Sequence, residues 1–280
     1  MNPRAFARIR KLVHEATAIV LEDGKEYLVE ARLAPIAQTH GFENVEALCL
    51  ALSSLKKELL AEVLDAMTTN ETSFFRDHHP FEALRRVVIP DLIDKRGKTR
   101  TLRVWCAACS SGQEPYSLAM LLDEHFPQLN TWRVQILATD VSKTVLSRAC
   151  SGRYRQIEVN RGLSASLLVK YFVRDGLEWE IRPELKRLVK FAELNLIGTW
   201  PPMDKFDLVI LRNVLIYFDQ TTKQTLLERV RRHLRYDGYL MLGGSETTPP
   251  GMTTFERLPI TRAGLYKATT TRPSEASRAG

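Results

Sequence analysis

The sequence has few cysteines and no long uncharged run. Four cysteines among 280 residues are too few for a disulfide scaffold, so we expect free thiols, as in a reducing compartment. Charged residues interrupt the chain so often that no stretch reaches the ~18 apolar residues of a transmembrane helix. The first 20 residues lack an apolar region followed by a small-residue cleavage site. These absences predict a cytoplasmic protein with no membrane insertion.

Acidic residues are fewer than basic ones, and the difference is uneven along the chain. The net charge is +7, yet residues 1–68 hold 8 Lys and Arg against 10 Asp and Glu, while the remainder holds 32 against 23. Four basic residues precede any acidic one: Arg4, Arg8, Arg10 and Lys11. A basic surface favours a nucleic acid, an anionic lipid or an acidic protein, without choosing among them. Ordinary solvated helix faces are the alternative.

The first 68 residues are predicted to form a small all-α domain. Apolar residues recur there at helical spacing in four runs, and no alternating strand pattern is present. We expect the first helix to include Val20 and Leu21 and to end at Asp23-Gly24; the other runs cover 27–36, 45–52 and 55–67. Residues 69–80 are polar and rich in capping residues, and we interpret them as a linker held against the rest of the molecule.

Residues 81–268 alternate between short apolar runs and helical segments. Strands of this kind are typical of a parallel sheet that is covered by helices on both faces. The predicted strands are 102–108, 134–139, 189–194, 206–211 and 239–242. The predicted helices are 114–124, 142–150 and 221–235.

An additional segment at about 152–188 interrupts this alternation. Its Asp175-Gly176 pair is a strong signal for a hairpin turn, so we expect a small antiparallel β-subdomain inserted in the main sheet. Residues 269–280 are polar and predict a disordered tail.

Ligands of an open α/β sheet bind at the carboxyl ends of its strands. In this sequence the first predicted strand ends in a turn formed by Ser110, Ser111 and Gly112. The turn has a single glycine and is therefore not a G-x-G-x-x-G dinucleotide motif. A carboxylate at Glu114 would repel a pyrophosphate, which disfavours NAD and nucleoside triphosphates. An amine-bearing or cationic ligand fits this strand end better.

Two further strand ends carry polar residues. Asp140 ends the second strand, where a carboxylate can accept hydrogen bonds from ribose hydroxyls, although it could instead cap the helix that starts near Ser142. Asn213 and Tyr217 follow the fourth strand, and Tyr217 with Phe218 could alternatively belong to the core. Together the three ends predict an adenosyl ligand with an amine-bearing tail, hence S-adenosylmethionine.

At this point the sequence resembles a known family, the bacterial chemotaxis receptor methyltransferases of the CheR type. The resemblance implies a Rossmann-like class I S-adenosylmethionine-dependent methyltransferase domain of the α/β class, with an inserted antiparallel β-subdomain and a preceding all-α domain. Its long motifs run in order along the chain: NETSFFRD (70–77), AACSSGQEPYS (107–117), ILATDVS (136–142), GRYR (152–155), RPEL (182–185), NL (195–196) and FDLVILRNVLIYF (206–218).

The resemblance also implies which residues form the site. For the transfer reaction itself, our hypothesis is that Arg76 and Tyr217 line the site, with Arg76 positioning an incoming carboxylate and Tyr217 orienting it or the methyl group. A salt bridge of Arg76 with Asp77 or Glu71 is the alternative. No metal is implied. The implied ligands of S-adenosyl-L-methionine, and of the product S-adenosyl-L-homocysteine, are Asn70, Thr72, Arg76, Glu114, Asp140, Asn195, Leu196, Asn213 and Val214.

The implied activity is esterification of glutamate side chains on the cytoplasmic helices of methyl-accepting chemoreceptors, in chemotactic adaptation at membrane-bound receptor arrays. Glutamate is already ionised at neutral pH, so no general base is needed. The hairpin at Arg174–Leu177 is shorter than in members that dock a receptor's C-terminal tether, which counts against docking here. Basic residues could guide an acidic receptor helix to the cleft: Arg4, Arg8, Arg10 and Lys11, or Lys25 and Arg32.

Three alternatives stay open on the sequence. Cys106 and Cys109 form a CxxC pair that could be redox-active, although the helix begins too late to stabilise a thiolate at Cys106. A nucleic-acid methyltransferase would use the basic residues Arg229, Arg231, Arg232 and Arg235, but the turn after the fourth strand is not of the DPPY or NPPY type. A non-catalytic S-adenosylmethionine sensor would keep the cofactor site without transfer.

Overall fold

The computed structural model describes residues 1–269, and the first 67 of them contain helices alone as regular structure. The first helix starts where the Asn2 side chain accepts a hydrogen bond from the Ala5 N–H at 2.9 Å. The apolar sides of these helices enclose their own core, which includes Ile9, Leu33 and Leu48. The helices are α1 (Pro3–Thr17), α2 (Glu26–Thr39), α3 (Val45–Leu50) and α4 (Lys57–Met67).

The first helix is shorter than predicted. Ala18 adopts a left-handed conformation with φ of 56°, and its N–H closes the helix on the His14 carbonyl. Val20 lies outside the helix, and its N–H donates to the Tyr217 carbonyl at 2.9 Å. The expectation that Val20 and Leu21 belong to α1 was wrong, because these residues contact other parts of the chain instead of extending the helical face.

A seven-stranded mixed sheet forms the centre of the larger part of the chain. Its order is β6-β2-β1-β7-β8-β10-β9, and all neighbours from β6 to β8 are parallel. The strands are β1 (Thr101–Ala107), β2 (Arg133–Asp140), β6 (Val189–Glu193), β7 (Phe206–Leu211), β8 (Leu234–Leu242), β9 (Phe255–Arg257) and β10 (Leu265–Ala268).

The prediction of a parallel sheet missed two antiparallel edge strands, β9 and β10. They are three and four residues long, so neither has enough alternation to be recognised from the sequence. The predicted helix 221–235 also extended too far. The chain leaves the helical conformation at Leu234, where β8 begins, five residues before the predicted strand.

Helices cover both faces of the sheet, as the alternation predicted. Alternate residues of each central strand enter two separate apolar clusters, so that Val104 packs on one side and Trp105 on the other. The remaining helices of the main domain are α5 (His79–Ala83), α6 (Ile89–Arg96), α7 (Gln113–His125), α8 (Lys143–Ser151), α11 (Pro183–Lys186) and α12 (Gln220–His233). A π-helical turn joins α5 to α6, a region for which the sequence had predicted no element.

The inserted segment forms a separate three-stranded antiparallel sheet in the order β3-β5-β4. The hairpin turn lies where it was predicted, with Gly176 at φ of 59°. The strand β3, which pairs with this hairpin, was not predicted, because it contains only three residues. The elements of this subdomain are β3 (Arg153–Arg155), α9 (Gln156–Val159), α10 (Ala165–Tyr171), β4 (Phe172–Asp175) and β5 (Glu178–Ile181).

The predicted disordered tail, 269–280, lies outside the described residues except for Thr269. The Thr269 N–H donates to the Thr254 carbonyl at 3.1 Å. Between Met1 and Thr269, no helix combines the length and apolar character needed to cross a bilayer.

Candidate functional site

A cavity lies at the carboxyl ends of β1, β2, β6 and β7. It holds about 860 Å³ of empty space, part of it open to solvent. Its walls come from the strand ends, from the linker after α4 and from the end of α1. All ten residues that the sequence predicted for the site line this one cavity: Asn70, Thr72, Arg76, Glu114, Asp140, Asn195, Leu196, Asn213, Val214 and Tyr217.

The turn after β1 approaches the cavity with its backbone. Ala108, Ser110 and Gly112 all have positive φ angles, and a Cβ on Gly112 would lie 2.9 Å from the Ala149 Cβ, so only glycine fits there. The Tyr154 hydroxyl donates to the Ser111 carbonyl at 2.7 Å from the inserted subdomain. The turn therefore offers a close-approach surface whose shape is fixed by its neighbours.

Asp140 is a buried carboxylate held by backbone donors. Its Oδ2 accepts from the Ser110 N–H at 2.8 Å, and its Oδ1 accepts from the Ser142 N–H at 3.0 Å. Burial raises the pKa of Asp140, and these backbone hydrogen bonds oppose the rise. The cap of α8 is Ser142, whose hydroxyl accepts from the Val145 N–H, so the interpretation of Asp140 as the helix cap was wrong.

The linker forms one wall of the cavity in a tightly constrained conformation. The Ser110 hydroxyl donates to the Asn70 carbonyl at 2.8 Å, and Arg76 Nη1 donates to the Glu71 carbonyl at 2.8 Å. Glu71 pairs with Arg161, and Asp77 pairs with another arginine described below. Within residues 1–269 neither carboxylate forms a salt bridge with Arg76, so that alternative for Arg76 was wrong.

The helical domain holds the start of the linker through Arg32. Its Nη1 donates to the Met67 and Thr68 carbonyls at 2.7 and 3.0 Å, and its Nη2 donates to the Thr69 hydroxyl at 2.9 Å. Arg32, proposed above as a free guiding charge, is thus half-buried and engaged with the chain that enters the site.

Glu114 lies in the first turn of α7 with 13% of its side chain exposed, and it faces an arginine that sequence reasoning missed. Arg212 Nη1 lies 3.1 Å from Glu114 Oε2, and Nη2 lies 2.6 Å from Asp77 Oδ2. Burial raises the pKa of Glu114, and the Arg212 charge opposes that rise. A charged residue at the end of an otherwise apolar strand was the signal that could have identified Arg212.

Asn213 and Tyr217 follow β7 in a segment that is held by Glu246, a second residue that sequence reasoning missed. Asn213 has φ of 59°, and its N–H donates to Glu246 Oε2 at 2.8 Å, which also accepts from the Gly243 N–H at 2.7 Å. Tyr217 ends a 3₁₀ turn, and both Tyr217 and Phe218 line the cavity. Phe218 is a buried member of the apolar cluster beside it, and the half-buried Tyr217 packs against that cluster, so the alternative that both rings belong to the core holds in full for Phe218 and in part for Tyr217.

Asn195 and Leu196 form the side of the cavity next to the helical domain. Asn195 Nδ2 donates to the Ala16 carbonyl at 2.7 Å, and Thr17 and Ile19 also line the cavity. Nothing in the sequence pattern pointed to Thr17 and Ile19, because Thr17 is the last residue of an ordinary amphipathic helix and Ile19 lies two residues beyond it.

The basic residues of α12 and β8 are mostly engaged within the protein. Arg229 donates to the Leu196 and Gly198 carbonyls at 3.0 and 2.6 Å, with its guanidinium 4.0 Å from the Trp200 ring centroid. Arg231 donates to the Thr269 carbonyl, and Arg235 pairs with a buried aspartate. Of the cluster proposed for nucleic acid, Arg232 alone is exposed, and its Nε donates to the Glu228 carbonyl of the same helix at 3.4 Å.

The CxxC pair does not have the character of a redox centre. Cys106 and Cys109 are free and buried, and burial raises the pKa of both thiols. A thiol with a raised pKa is a poor nucleophile. No cluster of His, Cys, Asp or Glu suited to a metal ion occurs in the part of the chain that the structure describes.

Two family models match the chain. Residues 4–68 match the all-alpha domain of the CheR methyltransferases, and residues 70–263 match their S-adenosylmethionine-binding domain. The resemblance stated from the motifs is thereby confirmed, as is the predicted fold class.

Relatives in other bacteria are similar over most of their length. The chain is 42% identical to chemotaxis protein methyltransferase 1 of Pseudomonas aeruginosa over 86% of this chain and 89% of that protein. It is 40% identical to chemotaxis protein methyltransferase Cher2 of Pseudomonas putida over 86% and 89%. It is 35% identical to a chemotaxis protein methyltransferase of Vibrio parahaemolyticus over 95% and 98%. The chain therefore belongs to the CheR family of methyltransferases, and its cofactor is S-adenosylmethionine.

Proposed function

We propose that this protein transfers a methyl group to glutamate side chains on the cytoplasmic helices of chemoreceptors, forming glutamyl methyl esters and S-adenosylhomocysteine. The observation that carries the proposal is the composition of the cavity. It combines two buried carboxylates, Glu114 and Asp140, with Arg76 and Tyr217 at a single site, and no histidine of the described chain lines it.

The polar groups of the cavity fit the cofactor. Asp140 is a carboxylate at a strand end, held by two backbone donors, which suits hydrogen bonding to ribose hydroxyls. Glu114 suits the ammonium group of the methionine tail, because burial strengthens the attraction between opposite charges. Asn70, Thr72, Asn195, Leu196, Asn213 and Val214 complete the proposed binding surface.

When bound, the cofactor supplies an electrophilic methyl group on a positively charged sulfur. Transfer of this methyl group to a glutamate carboxylate would form an oxygen–carbon bond, would leave the sulfur as the thioether of S-adenosylhomocysteine and would require no proton transfer. The protein must hold oxygen, carbon and sulfur in line and exclude water from the two charges. A cavity without a general base is sufficient for this, because a carboxyl with a pKa of about 4.3 is ionised at neutral pH.

Arg76 and Tyr217 are the proposed residues of the transfer step. The Arg76 guanidinium uses Nη1 on the Glu71 carbonyl, which leaves Nη2 and Nε to position an incoming carboxylate. The Tyr217 carbonyl accepts a hydrogen bond from the Val20 N–H, which restrains the turn that carries the Tyr217 ring. We propose that its hydroxyl orients the carboxylate or the methyl group.

Replacement of Arg76 by alanine is expected to lower kcat/KM for receptor methylation by roughly 100-fold, the order typical for loss of one charged positioning group. The affinity for S-adenosylhomocysteine should change much less than turnover. Arg232→Ala, an exposed basic residue on α12, is the matched control and should leave both unchanged. Normal turnover in Arg76→Ala with unchanged cofactor affinity would remove Arg76 from the site.

Receptor helices rich in glutamate would also be attracted by basic residues of α1 and of the turn before α2. Arg32 is engaged with the linker, so the exposed Arg4 and the half-buried Lys25, which directly precedes α2, are the residues to reverse. If they guide the helix, rising salt should weaken substrate capture by the wild type more than by Arg4→Glu/Lys25→Glu. Equal salt dependence of the two proteins would assign these charges to ordinary solvation.

The function is tested by transfer of a tritiated methyl group from S-adenosylmethionine to chemoreceptor-rich membranes and, separately, to total RNA. Label on the receptor that mild base releases as methanol identifies a carboxyl ester and supports the proposal. Label that is stable to base, or label on RNA, would contradict the proposal that receptor glutamates are the substrate. Binding of S-adenosylhomocysteine without transfer to either would favour a non-catalytic sensor.

A further inference from the structure

Arg212 is a cation buried at the end of a strand that is apolar from Leu208 to Leu211. β7 is buried along its whole length, and the Arg212 side chain that follows it is only 1% exposed. Burying an unpaired charge costs several kcal/mol, so this position requires partners that compensate the charge. The partners of Arg212 come from two segments, α7 and the linker.

The guanidinium joins the first turn of α7 to the linker. Nη1 lies 3.1 Å from Glu114 Oε2, while Nη2 donates to Asp77 Oδ2 at 2.6 Å and to the Arg76 carbonyl at 3.2 Å. Asp77 has φ of 67°, and its neighbours Phe75 and His78 are also left-handed. A conformation of this kind persists only where surrounding contacts fix it. The contact with Arg212 is one such restraint on the turn that carries Arg76.

Glu114 depends on Arg212 for most of its electrostatic compensation. The charged or titratable groups that act on it are Arg212 and Arg76, which favour its anionic form, and Glu246, Cys106 and Cys109, whose anionic forms would oppose it. Arg212 makes the direct contact, whereas Arg76 has its Nη1 on the Glu71 carbonyl. If the Arg212 charge is lost, a carboxyl in this apolar setting retains its proton more readily.

We infer that Arg212 is a positioning residue that keeps Glu114 anionic for the ammonium group of the cofactor and, through Asp77, holds the linker turn that carries Arg76. The inference rests on the proposed cofactor role of Glu114. Arg212 need not touch the reacting atoms. It acts on one side through Glu114 and on the other through the linker.

The test measures binding of two ligands by calorimetry between pH 5.5 and 7.5. S-adenosylhomocysteine carries the ammonium group, and 5′-methylthioadenosine has the same adenosyl thioether without the amino-acid tail. In Arg212→Gln, the affinity for S-adenosylhomocysteine should begin to fall at a pH about one unit or more above that of the wild type. Below that point it should fall about tenfold per pH unit, as expected for a single proton.

Binding of 5′-methylthioadenosine separates this role from a merely structural one. Its affinity should be equal in wild type and Arg212→Gln at every pH, because Glu114 does not contact a ligand that lacks the tail and Asp140, proposed to hold the ribose, is present in both proteins. Asp77→Asn removes the charge of the linker partner and keeps the guanidinium beside Glu114, so it should retain the pH profile of the wild type. Parallel loss of both ligands in Arg212→Gln, or an unshifted profile for S-adenosylhomocysteine, would overturn the inference.

Arg212→Lys provides a second variant that keeps a cation if the glutamine variant does not fold. A profile close to that of the wild type supports the assignment, and a shift as large as that expected for glutamine contradicts it. If the wild type itself fails to bind S-adenosylhomocysteine, the proposed cofactor site fails instead. The two failures are therefore distinguishable.

Discussion

Two buried arginines, Arg96 and Arg212, lie at opposite ends of the same sheet, and each faces two carboxylates. Arg96 binds Asp207 through Nε at 2.6 Å and Asp237 through both terminal nitrogens at 2.9 and 2.6 Å. One terminal nitrogen of Arg212 contacts each of two carboxylates, and its buried Nε has no hydrogen-bond partner among residues 1–269.

The difference follows from the end of the sheet at which each arginine lies. Asp207 lies at the start of β7, and its Oδ2 also accepts from the Arg103 N–H, so the Arg96 cluster is saturated and closed. Arg212 follows the end of β7 and lines the cavity. A saturated ion cluster stabilises the fold, whereas an incompletely paired one at the carboxyl ends of strands leaves charge available to a ligand.

The largest effect on stability is expected for Arg96→Leu. This change leaves Asp237 without its Arg96 salt bridge and leaves the fully buried Asp207 with Arg235 as its remaining cation, and removal of one partner from a buried pair typically costs about 3–5 kcal/mol. Urea unfolding monitored by circular dichroism measures it. S-adenosylhomocysteine affinity, measured where the variant is folded, should stay close to that of the wild type. A loss below about 1 kcal/mol would contradict the structural role of the cluster.

Arg212→Gln should destabilise the protein less than Arg96→Leu, by about 1–3 kcal/mol, since its Glu114 contact is longer and the Asp77 side chain is half exposed. Methyl transfer at pH 7 should fall more than stability does. Urea unfolding and kcat/KM on the same preparation make the comparison. Equal stability losses in the two arginine variants would remove the distinction between the ends of the sheet.

As the pH falls, cofactor binding at the Arg212 end of the sheet should be lost before the stability contributed by the Arg96 end. Arg96 lowers the pKa of Asp237, so the stability that this carboxylate contributes is present above its ordinary pKa and is lost only as the pH falls through a lower value. Burial raises the pKa of Glu114 and Asp140, so the charges proposed to hold the cofactor are lost at a higher pH. Calorimetry and circular dichroism between pH 3 and 7 should therefore show loss of S-adenosylhomocysteine binding before unfolding. Simultaneous loss would contradict this order.

The smallest effect on stability is expected for Asp77→Asn, within about 1 kcal/mol, because half of the Asp77 side chain is exposed to solvent. The amide keeps an oxygen that can accept from Arg212. We expect a severalfold decrease in kcat with little change in affinity for S-adenosylhomocysteine, measured by steady-state kinetics and calorimetry. A larger change in affinity than in kcat would show that the linker turn acts mainly on the cofactor.

The sequence predicted the ends of the central strands well, because each strand is a short apolar run and the polar residues of the cavity come directly at or after its end. Asp140 and Asn213 each follow a continuous apolar run, and parallel strands bring such ends to one edge of the sheet. The predictions failed where a local pattern competes with a distant contact. α1 ends at Ala18 because the following residues bind the segment around Tyr217, and no spacing within α1 reveals this.

The sequence by itself determined the family, the α/β class and the ten residues that meet at the cavity, because each of these depends on motifs within about a dozen consecutive residues. The tertiary structure alone decided the supports of the site. Glu246 holds Asn213 across 33 residues, and Arg212 binds Asp77 across 135. A charged residue next to an apolar segment indicates from the sequence that it needs a partner. Which residue becomes the partner depends on the distant segment of the chain that the fold brings within hydrogen-bond distance.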